Sequence, residues 1–402
     1  MKVLLVGSGG REHALGWKLA ASPRVDELIS LPGNPGLADL GPIVEGIEAT
    51  NSGAVAALAR VHGVDLVVVG PEAPLAAGVA DAVGRLGIPV FGPTRSAARL
   101  ESSKTFANEV MERAQVPTGR SLTFTVLDEA RAHIDRHPGP YVVKADGLAG
   151  GKGVLVTDSR AEAADWAERW LDRGPVVIEE FLDGPEVSLF AVCTAEGALP
   201  LEPARDYKRL GDGDRGPNTG GMGAYSPVED LPVDLVGEVM SKVIEPTLAQ
   251  MRDQGSPFTG FLYAGMILTA EGPRVLEFNV RLGDPETQTV LPRLSNDLVD
   301  VLEGESPRWS DEATVTVVLA APGYPDNPKT GAVIRGLADI PDDVLAFHAG
   351  TRWEGGKLTV SGGRVLALVG KAATLSRARD QAYQAAEEVR WPGITYRRDI
   401  AG

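Results

Sequence analysis

Val275–Leu276–Glu277–Phe278–Asn279–Val280–Arg281–Leu282–Gly283–Asp284–Pro285–Glu286–Thr287 is the stretch on which the reading of this chain turns. Side chains alternate across a strand, so Leu276, Phe278 and Val280 share one face while Glu277 and Asn279 share the other. The first face is apolar and suited to burial. The second carries a carboxylate and an amide oxygen about 7 Å apart, at ~3.3 Å rise per residue. Hard divalent cations take oxygen ligands of this kind, and Mg²⁺ commonly uses one or two protein groups beside phosphate oxygens and water. Arg281 follows on the same face, and a turn holding Asp284 and Glu286 comes next. A cation, two ligand oxygens and two further carboxylates point to phosphoryl transfer. The plainer reading is a half-exposed antiparallel strand with a solvated polar face.

The totals set the frame. A chain of 402 residues, 43% apolar and 23% charged, should hold two or three domains with ample core. Its 48 glycines and 29 prolines are scattered between periodic segments, so they mark turns and ligand-approaching loops. A formal charge of −16 argues against a nucleic-acid partner, which would call for a basic stripe. It leaves room for a small phosphorylated substrate held by local cations and backbone N–H groups. The single Cys193, in an apolar run, excludes an internal disulfide framework and reads as a small core residue. No apolar run approaches membrane-spanning length and no leader-like segment is evident, so a cytoplasmic protein is expected.

Residues 1–101 alternate strands and helices, which implies a parallel sheet with right-handed crossovers. A helix over Ser103–Ala114 opens the next region, capped by Ser102 or Ser103. Strands follow at Ser121–Thr125, Tyr141–Ala145, Gly153–Thr157 and Val176–Glu180, with Trp166 and Trp170 on one face of a helix between them. Glu186–Thr194, Phe261–Thr269 and Arg274–Val280 read as antiparallel strands. The segment Asp206–Pro227, with six glycines, is too long for an ordinary connection. From about Ala313 short strands dominate, including one at Ala332–Gly336, and a helix over Ser376–Val389 ends the pattern. That last region reads as having little catalytic character.

Three segments suggest nucleotide or phosphate binding. Gly7–Ser8–Gly9–Gly10–Arg11–Glu12 follows the first strand, but Glu12 stands where a dinucleotide fingerprint needs its third glycine, and no acid ends the second strand. An NAD-dependent oxidoreductase is therefore disfavoured, although the helix start remains an anion-binding candidate. Lys144–Ala145–Asp146–Gly147–Leu148–Ala149–Gly150–Gly151–Lys152–Gly153 lies between two strands and is not a Walker A loop; it reads as a glycine-rich flap whose N–H groups can close over phosphates. Val176–Glu186 ends an apolar strand in acids and a turn, as a hinge reading adenine and ribose would.

A lysine-bearing glycine flap, a Glu-Glu-Phe-Leu hinge and a Glu-x-Asn-x-Arg strand come in the order seen in the ATP-grasp superfamily. Within it the chain resembles the phosphoribosylamine–glycine ligase family through GSGGREH (7–13), GNPG (33–36), GPEAPL (70–75), Lys144–Gly153, GPNTGGMGAYSP (216–227) and EFNVRLGDPETQ (277–288). The resemblance implies an α/β and α+β multidomain fold: an N-terminal Rossmann-like substrate domain over 1–101, an ATP-grasp domain over 102–312 with a mobile lid at about 119–188, and a small β-rich C-terminal domain over 313–402. It implies an ATP-dependent ligase of purine biosynthesis that joins glycine to 5-phospho-D-ribosylamine through a glycyl phosphate.

By the same resemblance, Glu277 and Asn279 would hold Mg²⁺ or Mn²⁺. Lys104, Lys144 and the flap glycines Gly150, Gly151 and Gly153 would engage the phosphates of ATP. Glu179 with the Phe181–Leu182 backbone would read adenine, and Glu186 the ribose. Arg281 would act on the transferring phosphoryl with Lys144. Asp206, Lys208, Asn218 and Thr219 would contact glycine or the acyl phosphate, Gly9, Gly10, Asn34 and Glu72 the phosphoribosylamine, and Asp284 and Glu286 would also contact substrate. Where the family pattern carries His, this chain has Tyr207, so no general base is assigned there. A monomer with small-molecule substrates is expected. The rival readings are another ATP-grasp ligase and a non-catalytic nucleotide sensor.

Overall fold

The protein is described by a computed structural model over residues 1–150 and 153–402; Gly151 of the flap, and Lys152 with it, lie outside the described residues. The strands in chain order are β1 (Lys2–Gly7), β2 (Glu27–Pro32), β3 (Leu66–Val69), β4 (Val90–Phe91), β5 (Ser121–Phe124), β6 (Tyr141–Ala145), β7 (Val154–Thr157), β8 (Val176–Glu179), β9 (Glu186–Cys193), β10 (Ala198–Pro200), β11 (Arg205–Asp206), β12 (Arg209–Gly211), β13 (Arg215–Asn218), β14 (Gly223–Ser226), β15 (Gly260–Thr269), β16 (Gly272–Asn279), β17 (Ala313–Ala320), β18 (Val344–His348), β19 (Thr351–Glu354), β20 (Lys357–Val360) and β21 (Arg364–Ala372).

The first four strands form a parallel sheet in the order β2-β1-β3-β4, with Leu4 opposite both Ile29 and Val67. β1 is apolar and buried over Val3–Val6, because helices cover both faces of such a sheet. Residues between 121 and 179 build a second sheet, β5-β8-β6-β7, with a small core of its own around Ile134, Tyr141, Val143, Ala163 and Ile178. Two helices cover it. Arg160–Leu171 carries the expected tryptophans, both partly buried against this core, while Leu127–Arg136 has no counterpart in the sequence reading. Its Leu127-Ala130-Ile134 spacing is helical, but only two residues of the helix are fully buried and the signal is short.

The floor of the molecule is the antiparallel sheet β10-β9-β15-β16. Cys193 is fully buried in β9, and burial pushes its thiol up to about 12, so it packs as a hydrophobe. A five-stranded sheet departs from the sequence reading. Its order β11-β14-β17-β21-β18 joins strands from both sides of residue 313, so Asp206–Pro227 is one hairpin (β12–β13) and two sheet strands rather than a free loop. Ala332–Gly336 is not a strand; it makes only single bridges, Val333 to Thr359 and Arg335 to Arg390. The C-terminal region also grips the first domain. The His13 Nδ1 accepts the His348 N–H at 2.8 Å, and burial lowers the His13 pKa to about 3, so the ring stays a neutral acceptor.

Candidate active site

A cleft of about 510 Å³ runs between the parallel sheet, the 121–179 unit and the antiparallel floor. β16 supplies its centre, but not by simple alternation. Gly265 pairs with Glu277 and Met266 with Val275, so a bulge falls at Leu276. Val275 takes the place in the core beside Phe278 and Val280, while Leu276, expected in the core, is half-buried and lines the cleft. The extra residue frees the Leu276 carbonyl, which accepts the Lys144 ammonium at 3.1 Å.

At one end of the cleft the lysines collect. Lys144 lies near the end of β6, paired with Val154 and Val177, and its Nζ sits 2.6 Å from Glu179. Lys104 opens a helix capped by Ser103, and Asp146 accepts the Lys104 N–H at 2.6 Å and the Ser103 hydroxyl at 3.2 Å. The Lys104 ammonium donates to the Gly147 carbonyl at 3.2 Å; desolvation lowers its pKa, opposed by Glu277 and reinforced by Lys144. The carboxyl of Glu277 is held below its usual range: desolvation works against its charge, but Lys208, Lys144, Lys104 and Arg281 prevail. The Asn279 amide lies 3.5 Å from Glu277. Among the described residues no three His, Cys, Asp or Glu side chains form a metal cage, and an ionised carboxylate beside an amide oxygen is an oxygen donor set for a hard cation that takes its other ligands from phosphate and water.

At the other end a chain of ion pairs joins the domains. Arg281 Nη2 lies 3.1 Å from Glu101 and its Nε 3.3 Å from Glu72; desolvation works to lower its pKa, but these acids prevail and raise it above its already high value. Burial pushes the Glu101 carboxyl up to about 7 despite Arg281, with Glu72 adding to the rise, while Arg281 and Arg11 hold Glu72 below its usual range against desolvation. Glu101 also accepts the Val280 N–H at 2.8 Å. Arg11 donates to the Leu282 carbonyl at 3.1 Å and pairs with Glu12 at 2.5 Å. Asp284 is held low by Arg364 and Arg11 in spite of burial, with Arg364 Nη2 at 3.1 Å.

Between the two ends stand Asp206, Lys208, Glu186 and Glu286. Lys208 pairs with Glu186 at 2.5 Å, and the surrounding carboxylates raise its pKa well above normal against desolvation. Desolvation and Asp206 push Glu286 up to about 7, where it accepts the Ser188 hydroxyl at 3.1 Å. Tyr207, between Asp206 and Lys208, points the other way: its hydroxyl accepts the Ala401 N–H at 2.9 Å and Arg397 lies over its ring.

Most residues singled out from the sequence line this cleft: Lys104, Lys144, Gly150, Gly153, Glu179, Phe181, Leu182, Glu186, Glu72, Asp206, Lys208, Asn218, Thr219, Glu277, Asn279, Arg281, Asp284 and Glu286. Gly9, Gly10 and Asn34 do not line it. The Gly9 N–H donates to the Glu12 carboxylate at 2.7 Å, so the helix start is occupied by an anion of the chain itself. A methyl group on Gly7 or Gly70 would overlap that glutamate, which accounts for both glycines. The Asn34 amide donates to Ser8 and His348 carbonyls and its oxygen accepts from Leu37 N–H. Among the cleft residues that went unassigned are Arg11, Glu101 and Arg364. Arg11 lies within the matched GREH piece and Glu101 three residues before Lys104; nothing local marks Arg364.

A glycine flap, paired lysines and an acidic strand facing one another across a cleft define an ATP-grasp enzyme. Family models for the N domain, the ATP-grasp (A) domain and the C domain of phosphoribosylglycinamide synthetase match residues 1–101, 102–287 and 314–402. The chain belongs to that family. It is 50% identical over 414 residues to a phosphoribosylamine–glycine ligase of Leifsonia xyli and 51% identical to that of Streptomyces coelicolor, covering 100% of this chain and 99% of each relative. The crystal structure of a phosphoribosylamine–glycine ligase from Thermotoga maritima superposes with a TM-score of 0.87 at 38% identity, covering both chains fully. The biotin carboxylase domain of 2-oxoglutarate carboxylase from Hydrogenobacter thermophilus, solved with MgADP and bicarbonate, shares the fold at a TM-score of 0.73 and 17% identity, over 98% of this chain and 91% of that one.

Proposed function

We propose that the cleft joins glycine to 5-phospho-D-ribosylamine with cleavage of ATP to ADP and phosphate, giving glycinamide ribonucleotide for purine biosynthesis. The observation that carries this reading is the meeting of Glu277 and Asn279 with Lys104, Lys144 and Arg281 in one cleft that also holds a cluster of acids. A carboxylate is a poor electrophile, so its oxygen first attacks the γ-phosphorus of ATP and glycyl phosphate forms as ADP leaves. The amine nitrogen then bonds to the acyl carbon, the acyl–oxygen bond breaks, phosphate departs with the electron pair, and the nitrogen loses a proton.

In this scheme Lys104 and Lys144 neutralise the phosphate chain, and Gly150 and Gly153 cover it. Lys144 is held ready between Glu179 and the Leu276 carbonyl. Glu179 and the Phe181–Leu182 backbone face adenine and Glu186 the ribose. Arg281, fixed by Glu72 and Glu101, is aimed where charge develops on the transferring phosphoryl. Asp206, Lys208 and Glu286 offer charges of both signs, and Asn218 and Thr219 hydrogen bonds, to the zwitterion of glycine, while Asp284 stands with Glu72 on the phosphoribosylamine side. Glu277 and Asn279 would hold Mg²⁺, or Mn²⁺ in its place, which when bound neutralises phosphate oxygens. Excluding water protects the acyl phosphate, so closure of the lid gates turnover. No helix of the described residues is long and apolar enough to cross a membrane. As part of the same reading we place the enzyme in the cytoplasm as a monomer.

The test is ADP release with freshly generated phosphoribosylamine, comparing glycine with alanine, bicarbonate and no acid. Glycine alone should support turnover, with amide product equal to ADP. Bicarbonate-dependent release would point to a different ATP-grasp ligase.

A further inference from the structure

The C-terminal unit sends one side chain into the cleft, Arg364 at the start of β21. Its guanidinium does not face open solvent. Nη2 pairs with the Asp284 carboxylate at 3.1 Å, and Nη1 donates to the carbonyls of Asp284 and Gly220. A methyl group on Gly220 would lie 3.0 Å from the guanidinium carbon, so the glycine lets the planar group rest against the backbone. A second group from the same unit completes the grip: the Tyr324 hydroxyl accepts the Gly220 N–H at 2.9 Å. Gly220 is thus held at both its N–H and its carbonyl by residues more than a hundred positions away. On its far side Asp284 accepts Gln288 Nε2 at 2.7 Å, and Gln288 packs against Gly10 of the first domain. Arg364 is the bolt between the C-terminal sheet, the Asn218–Gly221 segment and the Asp284 turn.

We propose that Arg364 is a positioning residue that fixes the phosphoribosylamine end of the cleft, so that the amine rather than water reaches the acyl phosphate. The proposal rests on the ligase reading above. Arg364 bonds the Asp284 turn and the Gly220 carbonyl and makes no hydrogen bond or ion pair with Lys104, Lys144 or Glu179, so nucleotide binding does not require it. When the Gly220–Gly221 backbone and Asp284 lose their shared anchor, the amine is misplaced. Water then attacks the same acyl carbon, phosphate leaves, and glycine is regenerated with net hydrolysis of ATP.

The experiment measures ADP and glycinamide ribonucleotide separately in one reaction for wild type, Arg364→Ala and Tyr324→Phe, with thermal melts alongside. In Arg364→Ala, kcat/KM for phosphoribosylamine should fall roughly 100-fold, the scale of a reactant displaced by about 1 Å. The ratio of ADP to amide should rise above unity, and the KM for ATP should stay within about twofold. Tyr324→Phe, which removes only an acceptor from Gly220, should move the ratio the same way by less and decides the matter if Arg364→Ala does not fold. A ratio that stays at unity, or an ATP KM that rises as far as that for phosphoribosylamine, would overturn the proposal and leave Arg364 a packing residue. Failure of wild type to couple glycine to phosphoribosylamine would instead count against the ligase reading.

Discussion

At the end of the cleft where we place the nucleotide, Lys104, Lys144, Glu179 and Glu186 come from one continuous run of chain and meet Glu277 and Asn279 across it. At the end where we place the acceptor, Arg11 and Glu72 come from the first domain, Glu101 from the junction, Arg281 and Asp284 from the segment after β16 and its turn, and Arg364 from the C-terminal unit. The first end is a local motif laid over a floor. The second exists only when three parts of the molecule are docked. Their charge states differ too: the lysines face a Glu277 held below the usual carboxyl range, whereas burial pushes the Glu101 carboxyl up to about 7 against Arg281, with Glu72 adding to the rise. A change in the local motif should therefore disturb nucleotide or metal use alone, while a change at the docked end should alter chemistry and domain stability together.

The largest test of that contrast is Arg281→Ala. Steady-state kinetics should give a kcat lowered by roughly 100- to 1,000-fold with little change in the KM for ATP. A loss mainly in that KM would move Arg281 from the docked end to ground-state nucleotide binding.

Glu101→Gln comes next and reads the docked end through pH. The folded pKa of about 7 is raised by burial above the ordinary value of 4.5. The stability this group contributes is therefore complete below pH 4.5 and lost as pH rises through about 7. Denaturant titrations at pH 5 and pH 8 should show wild type losing up to about 3 kcal/mol relative to Glu101→Gln, whose amide cannot ionise. The opposite sign would make Glu101 an ionised partner of Arg281 throughout.

At the local end, Glu277→Gln should raise the Mg²⁺ concentration for half-maximal rate by roughly 10- to 100-fold while leaving the melting temperature nearly fixed. An unchanged metal titration would remove Glu277 from the metal site. The smallest effect is expected from Asn34→Ala. Its amide ties the first domain to the His348 carbonyl and caps a short helix, so stability should fall by about 1–2 kcal/mol. The KM for phosphoribosylamine should not move, and a large rise would return Asn34 to the substrate site.

Legibility in the sequence followed the same division. The flap, the hinge and the acidic strand announce themselves because glycine, lysine and carboxylate spacings within a few residues report local backbone geometry. The reading of β16 failed at one residue: alternation put Leu276 in the core, and the bulge opposite Gly265 and Met266 put Val275 there instead. A bulge is an extra residue counted against the partner strand, and no glycine in Val275–Leu276–Glu277 marks this one. Gly7 and Gly9 suggested a phosphate loop, yet they make room and hydrogen bonds for Glu12, a choice that depends on which anion lies nearest once Gly70 is packed alongside.

What the residues determined unaided is the order of elements, the ionic chemistry of the nucleotide end and the family to which the chain belongs, since each depends on patterns over short stretches. What only the tertiary structure decided is the acceptor end: the sharing of Arg281 between Glu72 and Glu101, and the arrival of Arg364 and Tyr324 from a region that read as inert. Contacts between residues hundreds of positions apart are set by the packing of whole sheets. The burial that shifts Glu101, and the grip on Gly220, come into being only when those sheets meet.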